Sequence, residues 1–448
     1  MQIKTISISG LLGSRDIQLN YSNSNAFVAI HGPNGVGKTH IMKIVNSLLS
    51  LSWAEMVSIP FSLAEIEFDN GDRLVATRTP DETGDSEISQ IYGVLLVVKY
   101  YPEGRGAETW DLSGGRPSFR VSPTTRRQIE QETGYTAQMS RAWTSPDGTE
   151  KISLSKLLAR YPELRWQVDL PLVDPLPPGD EASANLGPGV VQFVDTHRLI
   201  HEMQVRRSSI SEAHSEPAVR DRAAKMKTNL ARWSGEYMAR STSLDATFAS
   251  RVLEKSYVPF TDEILLSRHD ELMSKRAQLI DLGMLAGDNS SRLIKREMND
   301  TERSLVHEFL QDLESKMSIL DHPFKRVATL LKTVNADFIE KEVRLDSKRG
   351  LVVVASSGET LDVAALSSGE QHYLVMLYDI VFGQDSASFI LLDEPEISLH
   401  PQWQRGFLDV LISAHEERGV KFLVATHSPM VLGRHVDRAV FIGPREKI

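Results

Sequence analysis

The sequence predicts an α/β fold built from the two ends of the chain around a mainly helical middle. Three observations predict it. Near the start, the apolar run Phe27-Val28-Ala29-Ile30 has the look of a buried strand and opens through a glycine-rich loop into IMKIVNSLL, whose apolar residues recur at helical spacing. Near the end, strand and helix alternate: Phe389–Leu392, Gln402–His415, Phe422–Ala425. Between them, from Pro217 to about Val334, helical periodicity dominates.

Taken in order, Ile3, Ile6 and Ile8 mark an alternating first strand, and Ser62–Phe68, Arg73–Thr77 and Val94–Lys99 read as further strands. From Tyr101 to Gly189 the pattern loosens. Pro171, Pro175, Pro177, Pro178 and Pro188 mark an irregular connector. The strand Val190–Val194 restores order. Leu265, Leu272 and Leu279 recur every seven residues, as do Leu266, Met273 and Ile280. Two heptads suit packed bundle helices better than a long coiled coil. Glu342–Leu345 and Leu351–Ala355 read as a hairpin around Lys348-Arg349-Gly350, followed by a helix over Glu370–Val381.

Composition bounds the function. The chain has 448 residues, 41% hydrophobic and 25% charged, which excludes wholesale disorder and allows two to three lobes. Zero cysteines remove disulfides, thiolate zinc sites and cysteine nucleophiles, and fit a reducing, cytoplasmic setting. No apolar run approaches the roughly 18 residues of a membrane span, so no membrane partner is expected. A net charge of −10 argues against coating nucleic acid by bulk charge and leaves room for a local basic groove.

Gly32-Pro33-Asn34-Gly35-Val36-Gly37-Lys38-Thr39 matches the P-loop pattern G-x-x-x-x-G-K-[ST], between strand and helix. The glycines let backbone N–H groups converge on a phosphate, and the helix N-terminus adds its positive dipole end. Lys38 is placed to reach the β- and γ-phosphates, and the Thr39 hydroxyl to complete a Mg²⁺ shell. Phe389-Ile390-Leu391-Leu392-Asp393-Glu394 has Walker B form: Asp393 to hold Mg²⁺ through water, Glu394 to polarise the attacking water. Leu366-Ser367-Ser368-Gly369-Glu370-Gln371 opens a helix and reads either as an anion site or as plain helix capping.

The order P-loop, LSSGEQ, LLDEP, SLH, ATHS resembles the ABC-type ATPases, specifically the SMC/RecF/OLD-like branch, over about residues 1–100 and 340–448. The resemblance implies ATP and Mg²⁺ as cofactors and a P-loop ABC-type head assembled from N- and C-terminal segments. It implies that Ser367 and Gly369 contact the γ-phosphate of ATP held by a second subunit. It also implies that Ser398-Leu399-His400 is the D-loop, with His400 in place of the transporters' Asp, and that His427 is the switch histidine. On this basis residues 1–100 are the N-terminal half of the head, 101–189 an irregular connector or subdomain, 190–340 a mainly helical insertion lobe, and 341–448 the C-terminal half.

Four signals stay open. Gln192 reads equally as the Q-loop glutamine or a surface residue of a strand. Arg15 reads as a residue against the nucleotide or a solvated turn. His197 and His201 share helical spacing but lack a third metal ligand. Arg198 to Arg232 carries eight basic and four acidic residues, as a phosphate-binding stretch or, more simply, a solvated helix face.

Only a short stretch follows His427, with no room for a nuclease domain of the OLD type, so any cutting is expected from a partner. A head of this kind resembles the ATPase subunits of the anti-phage systems Septu, PARIS and the retrons. That resemblance implies an ATP-bridged homodimer or higher homo-oligomer that controls a separate nuclease or Toprim-like effector. The alternative is a RecF-like repair ATPase that binds DNA directly.

Overall fold

The computed structural model describes residues 2–21, 25–81, 94–103, 108–111, 123–137, 142–161, 164, 186–187, 189–194, 200–201, 216–254, 260–287, 297–384, 386–397 and 399–443. In chain order the elements are β1 (Ile3–Leu11), β2 (Arg15–Asn20), β3 (Phe27–His31), α1 (Lys38–Ser50), α2 (Ala54–Ser58), β4 (Leu63–Phe68), β5 (Arg73–Pro80), β6 (Val94–Tyr101) and β7 (Glu108–Asp111). Then come α3 (Pro123–Thr133), β8 (Thr136–Ala137), β9 (Ala142–Thr144), β10 (Lys151–Ser153), α4 (Leu154–Arg160), β11 (Val191–Val194), β12 (Ile200–His201), β13 (Glu216–Pro217), α5 (Ala218–Glu254), α6 (Asp262–Asp281), α7 (Asp300–Met317) and α8 (Asp321–Asp337). The chain closes with β14 (Lys341–Asp346), β15 (Gly350–Ala355), β16 (Thr360–Leu361), α9 (Ser368–Phe382), β17 (Phe389–Asp393), α10 (Pro401–Arg418), β18 (Lys421–Thr426), α11 (Pro429–Leu432) and β19 (Ala439–Phe441).

The chain divides into two compact units: Met1–Asp195 with Gln384–Pro395 and Gly419–Ile448, and Thr196–Gly383 with Glu396–Arg418. The first contains a parallel sheet in the order β11-β17-β18-β3-β19, so strands from both ends of the chain alternate in one sheet, as the fold class requires. Its central strands β3, β17 and β18 read as nearly continuous apolar runs because parallel strands there are covered on both faces. β17 and β18 are buried at every position. A second, antiparallel sheet runs β2-β1-β4-β5-β6-β7.

Helix α1 packs on the parallel sheet through Ile41, Met42, Ile44, Val45, Leu48 and Leu49, each at most 1% exposed. Their i, i+3, i+4, i+7 spacing is what puts them on one face. Burying each stabilises by about 1.5–3 kcal/mol, so Ile41→Ala alone is expected to cost about 2–5 kcal/mol. The helix stops at Leu51, which turns into the left-handed region and returns its N–H to the Ser47 carbonyl. The antiparallel sheet joins the same core through Ile6, Ile8, Leu11, Ile66, Leu74 and Val98. Residues 123–161 add α3, β8–β10 and α4 around a separate small core of Ile129, Tyr135, Trp143, Ile152 and Leu157. The prolines expected in the connector lie outside the described residues.

The second unit carries the longer helices. α5 runs 37 residues, about 55 Å at the standard rise. In α6, Leu265, Leu272 and Leu279 are buried and Leu266, Met273 and Ile280 half-buried, which fits bundle packing. The β14–β15 hairpin turns close to α5. Gly350 has φ +84°, and a Cβ there would overlap the Ala223 carbonyl oxygen, so only glycine fits that approach.

Candidate functional site

The P-loop leaves β3 after His31. Gly32 sits so close to the Ile442 carbonyl oxygen that a Cβ would overlap it, and Gly35 and Gly37 take φ of +80° and +103°. Together they curl the backbone into a loop that no side-chain-bearing sequence would adopt without strain. Helix α1 then begins with no side-chain cap and no acidic residue in its first turn. Its first N–H groups and its dipole therefore face the loop without a neutralising carboxylate.

Lys38 is 5% exposed, and its ammonium donates to the Gly32 carbonyl at 2.8 Å and the Pro33 carbonyl at 3.1 Å. Those are neutral acceptors, so the buried cation keeps its charge available to an anion. Arg15, on β2, donates from Nη1 to the Val36 carbonyl and braces the loop from the side. Thr39 is exposed.

The sheet brings the acidic strand end to the same edge. Asp393 pairs in register with Ala425, and Ala425 with Ile30, the second residue before Gly32. Asp393 is 5% exposed. Glu394 follows with φ +46°, held there by its N–H to the Ala425 carbonyl at 2.8 Å. A non-glycine residue at positive φ is uncommon and concentrates at functional sites.

β18 ends at the fully buried Thr426, whose hydroxyl accepts from the Ser428 N–H at 3.0 Å. His427 turns outward there, with Nδ1 3.8 Å from Glu394 Oε1. P-loop, Asp393, Glu394 and His427 thus share the carboxyl edge of one parallel sheet, where ligands of such sheets bind. The uncapped helix end and its glycine cradle fit a triphosphate. Thr39 and Asp393 offer hard oxygen donors, which suit Mg²⁺ sharing its shell with phosphate and water.

Ser367 and Gly369 belong to the second unit. Ser367 is the N-cap of α9 and forms a capping box: its hydroxyl accepts from the Glu370 N–H at 3.4 Å, and Glu370 Oε2 accepts from the Ser367 N–H at 2.7 Å. Lys341 on β14 donates to both Glu370 oxygens, at 3.0 and 2.8 Å. Gln371 donates to the Ala364 and Leu366 carbonyls at 3.1 and 2.7 Å, which pins the loop before the helix.

Of the expected D-loop, Ser398 lies outside the described residues, Leu399 is buried and His400 exposed. The next turn is anchored by Trp403, stacked on Tyr373 of α9 at 4.8 Å, with its indole N–H donating to the Asp337 carbonyl at 3.3 Å.

Other sequence signals fare differently. Gln192 Oε1 accepts from the Gln384 N–H at 3.1 Å and pairs with Ile390, near the start of β17 rather than the Asp393 edge. That favours the reading as an ordinary strand residue. His197 lies outside the described residues, as does the side chain of His201; among the described residues no group of three or more His, Asp or Glu is arranged to hold a metal. In the basic stretch, Arg198, Arg206 and Arg207 are likewise outside. Arg220, Arg222, Lys225 and Arg232 pair with Asp362, Asp379, Asp221 and Glu236 at 2.6–3.1 Å, so these charges serve the helical unit.

Residues 213–433 match the family described as "AAA domain, putative AbiEii toxin, Type IV TA system". That span takes in the α9 loop, the acidic strand and His427; the P-loop precedes it. The chain thus carries a P-loop followed by a stretch similar to an ATPase domain. It is similar to the "Retron Ec83 probable ATPase" of Escherichia coli, 26% identical over 33% of this chain and 28% of that protein. The "Retron Vc95 probable ATPase" of Vibrio cholerae serotype O1 biovar El Tor is 22% identical over 31% of this chain and 30% of its own length. The matched stretch therefore spans less than a third of either relative.

Two solved structures align along nearly the whole chain. The Smc head domain with an extended coiled coil, bound to the C-terminal domain of ScpA from Pyrococcus furiosus, covers 96% of this chain and 91% of its own, at 15% identity and TM-score 0.32. The SMC head domain from Thermotoga maritima covers 98% and 94%, at 12% identity and TM-score 0.31. Among the described residues no helix is long and apolar enough to cross a membrane.

Sequence reasoning singled out the P-loop, the acidic pair and His427, which the fold brings to one sheet edge. It missed Lys341, whose position in Ile339-Glu340-Lys341-Glu342-Val343 carries no motif, and the Asp337–Tyr373–Trp403 cluster, which joins residues far apart in sequence. The positive φ of Glu394 left no trace in residue type either.

Proposed function

We propose that this chain binds and hydrolyses ATP as a head-to-head dimer, and serves as the sensor or scaffold subunit of an anti-phage defence complex that controls a separate nuclease or Toprim-like effector. The observation that carries the ATPase reading is the convergence of Lys38, Asp393, Glu394 and His427 on one sheet edge around an uncapped helix N-terminus. In this reading Lys38 and the loop amides bind the phosphates. Glu394 takes the proton of the attacking water, and His427, beside it, reports the γ-phosphate. Thr39 and Asp393 would hold Mg²⁺, which neutralises phosphate charge when bound.

Ser367 and Gly369 would close on the nucleotide of a second copy, so that ATP gates association. The defence role is supported by the likeness to the two retron probable ATPases. The ion-paired basic side chains of α5 do not favour the RecF-like alternative of direct DNA binding.

The test is the solution mass of the Glu394→Gln protein with and without ATP–Mg²⁺, by light scattering. An ATP-dependent doubling supports the dimer. A nucleotide-independent monomer overturns it.

A further inference from the structure

The α9 N-terminus poses an electrostatic problem. A phosphate approaching it would meet Glu370 in the first helical turn, and a carboxylate there repels an anion and competes for the same amides. The structure resolves both effects with local contacts. Glu370 is folded back into the capping box, where it takes up the Ser367 N–H, and its own N–H is spent on the Ser367 hydroxyl. Among the described residues no hydrogen bond engages the Ser368 and Gly369 N–H groups, which are left as the donors of the helix end. Lys341 then spans both carboxylate oxygens; the glutamate side chain is only 13% exposed and the lysine 31%, so the pair is partly shielded from solvent and salt.

We propose that Lys341 is a positioning residue of the α9 phosphate site: it cancels the Glu370 charge and holds that carboxylate in the capping box, so that the Ser368 and Gly369 amides meet the γ-phosphate of the partner copy's ATP across a neutral surface. This rests on the dimer reading above and names what makes that half of the site able to accept an anion. Lys341 does not itself touch the nucleotide in this arrangement. Its contribution is a charge cancelled one turn away.

The experiment is done in the full chain carrying Glu394→Gln, where ATP-driven association is slow to reverse. The ATP concentration needed for half-maximal dimer is measured by light scattering for the parent, Lys341→Arg, Lys341→Met and Lys341→Met with Glu370→Gln, each checked for cooperative melting. Lys341→Met is expected to raise that concentration about tenfold or more by uncovering the carboxylate. Lys341→Arg is expected to stay near the parent, and the double variant to return to within about threefold, because a neutral Glu370→Gln side chain needs no counter-charge.

A double variant as weak as Lys341→Met overturns the proposal, since Lys341 would then act through packing. So does Lys341→Met that associates like the parent. If the Glu394→Gln parent fails to associate with ATP at all, the dimer reading falls first and takes this proposal with it, a result distinct from both.

Discussion

His427 Nδ1 lies 3.8 Å from Glu394 Oε1, and the two residues end neighbouring parallel strands. The contact is too long for a firm hydrogen bond and close enough for a water to bridge. Glu394 is presented there by a backbone held at φ +46°.

Glu394→Gln should lower phosphate release by about 10²–10⁴-fold while ATP binding persists, the range for loss of a general base. Hydrolysis at the parent rate would remove Glu394 from that role. Glu394→Gly makes a separate prediction about the same residue. Relieving a left-handed backbone recovers about 1–2 kcal/mol, against about 0.5–1 kcal/mol of added chain entropy. Melting should therefore be unchanged or slightly higher even as turnover disappears.

Lys38→Ala should abolish nucleotide binding measured by equilibrium titration, with little effect on melting, since the ammonium's partners are two neutral loop carbonyls rather than a buried counter-charge. Gly32→Ala should do the opposite first. Its new methyl would displace the Ile442 backbone and cost about 2–3 kcal/mol before any ligand is added.

The Lys341–Glu370 pair predicts a pH dependence. Lys341 and the Ser367 N–H hold the Glu370 carboxyl below its ordinary value, outweighing burial, which is the largest single influence and pushes it up. A folded pKa below the unfolded one means a contribution fully present above about pH 4.3 and lost as pH falls through the folded value. The stability gap between the parent and Lys341→Met should therefore be constant near neutrality and close on acidification below about pH 4. A gap that widens in acid would contradict the assignment.

Arg222 is 14% and Asp379 13% exposed, and they meet in a two-pronged contact at 2.6 and 2.9 Å. Asp379→Ala should cost about 2 kcal/mol in denaturant unfolding, less than the usual figure for stranding a buried charge, because Asp221 also contacts Arg222. Replacing both Arg222 and Asp379 with apolar residues should recover part of that loss.

Strands with continuous apolar runs and helices with an amphipathic stripe were legible in the sequence: β3, β17, β18, α1 and α10 fall where the pattern placed them. The P-loop was legible because its chemistry demands glycines at fixed offsets. What escaped were relationships without local periodicity. Nothing in the residues around Lys341 announces that its ammonium spans Glu370, and the small core of Ile129, Trp143 and Leu157 is built from strands of two or three residues, too short to show alternation. Gln192 was ambiguous for a related reason: a polar residue in a strand does not reveal which end of the sheet its partner occupies.

The interleaving of the parallel sheet also sets a timetable for synthesis. Tyr21 donates its hydroxyl to the Phe422 carbonyl across 401 positions of sequence, and β3 lies between β18 and β19. At about 5–20 residues per second, the ribosome needs roughly 20–80 s between making Tyr21 and making its acceptor. Through that interval the apolar strand Phe27–Ile30 has neither sheet neighbour and must be shielded by α1, the antiparallel sheet or a chaperone. A chain halted before Lys421 carries the whole P-loop sequence and has no sheet to mount it on.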